Sequence, residues 1–184
     1  LKAAGAASVS SDSLSMNADK TLAVSAGEIA TITTSELELS ASTSVELLTE
    51  QLKVGSTRSM EVFSASSLDA TTTDLIISSF EDITMSAGER ATVTAADVTL
   101  NAGDTLDISA DDTRVRNSGV VDVFAGESTR VTSKDVTMSV GEKVEILGGE
   151  EVKVTTSSLD LSADTAASVS TKDMSMSVSG DSGM

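Results

Sequence analysis

The chain repeats one short phrase of alternating apolar and polar residues, and this repeat limits the folds open to it. Between Gly88 and Ala110 the phrase occurs three times, as GERATVTA, ADVTLNA and GDTLDISA. The same pattern divides residues 12–178 into 22 units of seven or eight residues. Each unit begins with two or three corner residues and continues as apolar, polar, apolar, Ser or Thr, and a small residue. A repeat this short predicts a fold built by stacking identical strand units.

Period-two alternation predicts that each unit forms a strand of about five residues with alternate side chains on one face. The inward residues run large, large, small, as in Leu37, Leu39 and Ala41, and the small residue leaves room for a sharp corner. Gly and acidic residues open many units, as in Gly103-Asp104, and these suit a turn that faces water.

The gaps between strands exclude most other folds. Two or three residues are too few for the crossover of an ordinary parallel sheet, and the Asn-Gly and Asp-Gly pairs typical of tight hairpins do not occur. Short corners that bend the chain onto a new side of a prism remain. The sequence therefore predicts an all-β fold, a three-sided parallel β-helix over residues 12–178, with a polar lead-in at residues 1–11 and a polar tail at residues 179–184.

The core of such a fold must be aliphatic, because the chain has no Pro, Cys, His, Trp or Tyr and only three Phe. The absence of His also bears on the C-terminal GDSGM, which matches the loop around the nucleophile of trypsin-like proteases. Without a His base Ser182 cannot be activated, so the tail is interpreted as a polar end. Flexible methionines are expected to fill the core at six inward positions: Met16, Met60, Met85, Met138, Met174 and Met176.

A three-sided prism can be wound in two ways. One chain can coil on itself, so that each unit stacks on the unit three further along. Alternatively, three chains can wrap together, so that each unit stacks on the next unit of another chain. Stacked outward side chains lie about 4.8 Å apart, where opposite charges stabilise and like charges destabilise. The outward charges therefore discriminate between the windings.

These charges favour an intertwined homotrimer. Of nine charged pairs in successive units seven have opposite signs, whereas three units apart only Asp107 and Arg130 do, against four pairs of like sign. Seven-residue units recur every two or three units, which favours the alternative, a single-chain β-solenoid. The predicted ladder of inter-strand charges consists of Glu46, Lys53, Glu61, Asp107, Arg114, Asp122, Arg130, Glu145, Lys153 and Asp160.

The repeat resembles the β-helical spike shafts of contractile phage tails and the valine–glycine-repeat spikes of type VI secretion. Ser/Thr-Ala endings and Gly-Glu corners, as in ITMSAGERATVTA, carry the resemblance, which is one of rhythm over almost the whole chain. The Val-x-Gly spacing of the phage shafts is essentially absent, and no His is present for a metal-binding tip. The resemblance implies three chains wound into a needle, and it implies no functional residues.

Composition also limits the function. A net charge of −17 disfavours nucleic acid and anionic membranes as partners, and no apolar run approaches the ~18 residues of a membrane span. The chain has no His, Cys or Tyr and no Gly-rich phosphate loop, so neither an enzyme nor a cofactor is expected. The expectation is a rigid acidic shaft in a spike, fibre or filament, at the cell surface or outside the cell. Its partners would be copies of itself and a larger assembly.

A second class, a monomeric binding module for ice, mineral or glycan, stays open. Outward Thr pairs such as Thr92 and Thr94 are the candidate ice-binding array. Acidic corners such as Asp111-Asp112, Glu127 and Glu150-Glu151 are weak candidates for Ca²⁺. Outward apolar residues would mark a docking surface if they were grouped: Leu48, Phe63, Ile76, Phe124 and Leu147.

Overall fold

A computed structural model of the chain describes residues 2–178, and the GDSGM tail lies outside this range. Every regular element in residues 2–178 is a β-strand. Some strands are long because they continue through a corner without a break. The strands are β1 (Lys2–Ala3), β2 (Ala7–Ala18), β3 (Thr21–Ala26), β4 (Ile29–Ala41), β5 (Ser44–Leu48), β6 (Gln51–Ser64), β7 (Ser67–Thr71), β8 (Asp74–Ser79), β9 (Ile83–Ala87), β10 (Arg90–Ala95), β11 (Asp97–Ala102), β12 (Thr105–Asn117), β13 (Val120–Ala125), β14 (Ser128–Val140), β15 (Lys143–Gly148), β16 (Glu151–Thr156), β17 (Ser158–Ala163), β18 (Ala166–Ser170) and β19 (Asp173–Val178).

The strands pair in parallel and form three faces. Face 1 stacks β1, β3, β5, β7, β10, the second halves of β12 and β14, and β17. Face 2 stacks the first halves of β2, β4 and β6 and then β8, β11, β13, β15 and β18. Face 3 stacks the second halves of β2, β4 and β6, then β9, the first halves of β12 and β14, β16 and β19. The predicted all-β parallel β-helix is confirmed.

The chain coils on itself. Register partners are 22 or 23 residues apart, as in Ala7 with Ala30 and Arg90 with Asp112, so three units make one turn and each unit stacks on the unit three further along. Counted by the strands of face 1, the coil has eight turns. At about 4.8 Å per layer it is roughly 35 Å long.

This is the single-chain β-solenoid, the alternative winding. Successive units of this chain lie on different faces, and the intertwined homotrimer that the charges favoured stays a prediction. The outward charges discriminate only weakly between the windings, because each exposed ion pair contributes less than ~1 kcal/mol and both windings form the same backbone ladder. The recurrence of seven-residue units indicated the correct period.

The core lies on the axis, and the alternation places it there. Leu37, Leu39 and Ala41 are buried, as are most other inward residues. Met60 and Met85 are buried as expected, but Met174 and Met176 are about half exposed. These two lie in the last described turn, where β19 has a neighbouring layer on one side only. Strand structure also begins before residue 12, with β1 and the first half of β2.

The small inward residue at a strand end does more than leave room for a corner. Where it is Ser or Thr, its hydroxyl donates its single O–H to a corner carbonyl oxygen, and in several cases shares it between the carbonyls of two stacked corners. Thr72 Oγ1 lies 2.9 Å from the oxygens of both Glu50 and Asp74, and Thr156 Oγ1 bonds Lys134 and Ser158 in the same way. Because a corner exposes backbone groups that the strands do not satisfy, these hydroxyls stabilise the bends.

Candidate functional site

The ladder residues on face 3 form a column of stacked charges. Asp107 is the register partner of Arg130, with Arg130 Nη1 3.9 Å from Asp107 Oδ1. Arg130 is in turn the partner of Lys153, a like charge. Glu61 stacks on Glu38, again a like charge. The structure therefore brings one opposite pair of the predicted ladder together on this face.

The remaining ladder residues stack on a like charge or on an uncharged side chain. Asp122 is the partner of Glu145, and Glu46 is the partner of Asp69. The other three have only uncharged register partners, on two neighbouring strands for Arg114 and Lys53 and on one for Asp160. Opposite charges in successive units do not meet here, because successive units lie on different faces.

Ion pairs at the corners link neighbouring turns, and the sequence reasoning missed them. Lys134 Nζ lies 2.7 Å from Asp111 Oδ2, and Arg58 Nη1 lies 2.9 Å from Glu36 Oε1. Lys172 and Glu150 form a third such pair, at 3.6 Å. A comparison of corner residues 22 or 23 positions apart, in addition to the strand residues, would have identified these opposite charges. All three pairs are largely exposed, so each contributes little stability.

One titratable group has a displaced pKa. The hydrogen bond to Glu145 raises the pKa of the Lys143 ammonium group, and the negative charges of Glu145 and Asp122 raise it further, against a smaller opposing effect of burial. These interactions stabilise the charged form of Lys143.

The outward apolar residues do not form one surface. Phe124 and Leu147 are register partners on face 2, and Ile76 lies on the same face two turns before Phe124. Leu48 lies on face 1 and Phe63 on face 3. Phe124 with Leu147 is therefore the one adjacent pair of the five. Phe80, which the sequence reasoning missed, is 78% exposed at a corner. The stacked corner position in the next turn is Gly103.

The outward Thr pairs are divided among the faces. Thr92 and Thr94 lie on face 1, Thr31 and Thr99 on face 2, and Thr84 on face 3. Their stacked neighbours include charged residues, so no flat array of threonines is built.

Four of the five acidic corner residues named as Ca²⁺ candidates have a cationic partner, whereas Glu127 has no ion pair within residues 2–178. Asp111 pairs with Lys134, Glu150 with Lys172, and Glu151 lies 3.9 Å from Arg130. Within residues 2–178 there is no group of three or more His, Cys, Asp or Glu side chains that could hold a metal ion. In the same range no helix is long and apolar enough to cross a membrane.

A polar groove of about 490 Å³ runs along the edge between faces 3 and 1. The Lys134–Asp111 ion pair lies at its corner. Outward hydroxyls of four successive layers stand in register along it: Ser86, Ser109, Thr132 and Thr155. These groups can exchange hydrogen bonds with a polar polymer, but they include no activated nucleophile and no base.

Comparison with known proteins gives no relative. No protein-family model matches the chain, and neither a curated protein nor a solved structure is significantly similar to it.

Proposed function

We propose that the chain is structural: a rigid, acidic β-solenoid shaft within a spike, fibre or filament. The observation that supports this most is the continuous parallel pairing of strands on all three faces through eight turns, with one register shift, at the corner between Thr34 and Glu36. In residues 2–178 the breaks between strands are one to three residues long, so no loop builds a pocket for a small substrate. Regularity along an axis suits a load-bearing element.

The mechanical argument rests on the direction of the hydrogen bonds. In a solenoid the inter-strand bonds run parallel to the axis, so a load along the axis is shared by the three faces in every layer. Corner bonds such as Thr72 to Glu50 and Thr156 to Lys134 connect consecutive turns as well. The net charge of −17 keeps neighbouring shafts from non-specific association. The rhythm shared with phage and type VI spike shafts supports the assembly context.

Immuno-electron microscopy on native cells, with an antibody against the chain, tests this proposal. Label is expected along a fibre, spike or filament, and analytical ultracentrifugation of the purified protein would then show whether the unit is one chain of 18.7 kDa or a trimer. Label spread evenly through one compartment, with no labelled assembly, would contradict a structural role.

The polar groove favours a second candidate, a module that binds an extended glycan along the edge between faces 3 and 1. Glycan-array binding that is lost in Ser109→Ala/Thr132→Val would support it, since these hydroxyls line the groove. The matched control is Thr31→Val/Thr99→Val, which removes outward hydroxyls from face 2 and should leave binding unchanged.

A further inference from the structure

The interior of the solenoid is packed differently in its two halves. Each strand contributes a central inward side chain. Turns are numbered by their face 1 strand, so that turn 1 begins at β1 and turn 2 at β3. In turns 2 to 4 these side chains are buried, as for Ile32 and Ile77. In turns 5 to 7 most of them are only half-buried although they point to the axis: Val93, Ile108, Val115, Val131, Met138, Ile146 and Val154. They border a cavity of about 110 Å³ on the axis, whose walls extend from turn 4 to turn 8.

The cavity follows from the sequence of the sixth turn, which comprises the second half of β12, β13 and the first half of β14. Its three central inward residues are all valine, Val115, Val123 and Val131. No other turn from the second to the eighth has three valines there; turn 7, for example, has Met138 and Ile146 with one valine. With Thr113, Val121 and Thr129 beside these valines, the turn places no Leu, Ile or Met at the axis and is too small to fill it. The layers above and below cannot collapse because the backbone ladder fixes their spacing.

The same turn holds two buried hydroxyl groups that lack partners. Thr113 and Thr129 are 6% and 2% exposed, and among the described residues neither Oγ1 has a hydrogen-bond partner. Their positions carry apolar residues in every other turn from the second to the eighth. Thr113 stacks between Ala91 and Val136, so the protein offers no polar group from either neighbouring layer.

Both threonines line the cavity, with their hydroxyl oxygens packed into its walls. Rotation by about 120° about the Cα–Cβ bond carries the hydroxyl to the position that the methyl group held, and this can turn Oγ1 toward the axis. The cavity is therefore the one place where a group from outside the chain can satisfy these two hydroxyls. Its other walls are aliphatic, which disfavours a charged occupant.

We propose that the axial cavity binds, at the level of the sixth turn, a small neutral molecule with a short linear hydrocarbon body and one hydrogen-bonding group. The hydrocarbon packs against Val115, Val123 and Val131, and Thr113 and Thr129 hydrogen-bond the polar group. This site is independent of a role as a shaft, since it lies inside the coil and uses no surface residue.

The test uses 1-butanol as the probe and 1-chlorobutane, which has a similar body and no hydroxyl, as its matched comparison. In methyl NMR spectra of the whole protein, 1-butanol is expected to shift the valine methyls of the sixth turn saturably. Those of Val24 in the second turn and Val45 in the third, which are buried away from the cavity, should not move. 1-Chlorobutane should bind about tenfold more weakly, because it leaves the hydroxyls unpaired.

Two sets of variants separate the site from the fold. Thr113→Val/Thr129→Val keeps the shape of both side chains, should raise Tm of the free protein, and should weaken 1-butanol binding about tenfold. Val115→Ile/Val131→Ile fills the cavity while keeping the β-branch and should abolish binding. Thr31→Val/Thr99→Val on face 2 is the control. Absence of any saturable shift, or equal binding of both probes with no effect of the threonine variants, would overturn the proposal.

Discussion

At the scale of single residues, the corners set the tightest requirements. At the edge between faces 2 and 3, glycines of successive turns lie on one another: a Cβ on Gly126 would lie 1.8 Å from the carbonyl oxygen of Gly103, and one on Gly149 would lie 1.7 Å from that of Gly126. The colliding atoms belong to the backbone, so they cannot move aside. Glycine is needed here because two corners approach closely, not because of an unusual backbone conformation.

Gly126→Ala should therefore lower the free energy of unfolding by about 3 kcal/mol, measured by urea denaturation. The matched control is Gly55→Ala. A Cβ there meets nothing closer than Ser78 Oγ at 4.0 Å, and alanine is expected to stabilise the strand by roughly 0.5 kcal/mol. Equal effects of the two substitutions would show that the corners are not in contact.

Thr72→Val tests the hydroxyl corners. The substitution removes the hydrogen bonding to the carbonyl oxygens of Glu50 and Asp74 with little change in side-chain volume. It should lower the free energy of unfolding by about 1–2 kcal/mol, because the two carbonyls lose their donor. Thr99→Val, on the exposed side of β11, is the control and should stay within about 0.5 kcal/mol of the parent. Chemical denaturation of both variants provides the measurement, and similar stabilities would contradict this role of the hydroxyl.

At the scale of the strands, the register decides which charges interact. Arg130 lies between Asp107 and Lys153, so one of its two neighbours attracts it and the other repels it. In the winding by successive units, Lys153 would instead lie between Glu145 and Asp160. The same side chain is thus unfavourable in one winding and favourable in the other.

Lys153→Glu distinguishes the two windings, because its neighbouring charges differ between them. In the single-chain coil it should raise the free energy of unfolding by about 0.2–1 kcal/mol, since Arg130 then has opposite charges on both sides. In an intertwined trimer it would destabilise by a similar amount. Lys153→Gln, which only removes the repulsion, should give a smaller gain, and urea denaturation at constant ionic strength measures all three proteins.

At the scale of the whole molecule, like charges accumulate along the rod. The net charge is −17, and stacked acidic pairs such as Asp122 with Glu145 and Asp74 with Asp97 repeat on the faces. The distance over which charges act in solution falls from about 30 Å at 0.01 M salt to about 8 Å at 0.15 M. Repulsion within the coil is therefore strong at low salt and weak at moderate salt.

Tm should accordingly rise as NaCl is increased from 0.01 M to 0.15 M, followed by circular dichroism. KCl should have the same effect at equal ionic strength, because screening does not depend on the identity of the cation. A larger rise with CaCl₂ at matched ionic strength would reveal specific binding at the acidic corners, contrary to their pairing with lysine and arginine.

The local structure could be predicted because it depends on nearest neighbours in the chain. Alternation at Leu37 and Leu39, with Ala41 at the strand end, required a short strand with one buried side, and the corner lengths excluded helices and hairpins. The corner pairs Glu36–Arg58 and Asp111–Lys134 were missed, because they join residues 22 and 23 positions apart. Such contacts can be recognised only once the length of a turn is known.

The sequence alone determined the strand unit, the inward and outward sides and the three-sided parallel coil, because backbone sterics and burial act within each unit. Only the tertiary structure decided which units are neighbours. Both windings bury the same inward residues and form the same backbone ladder. They differ in which outward charges are neighbours, and these charges are exposed, so each pair contributes little to stability. The valine layer beside Thr113 and Thr129 could also be recognised only in the tertiary structure. Its three valines are separated in sequence and meet on the axis only when the turn is closed.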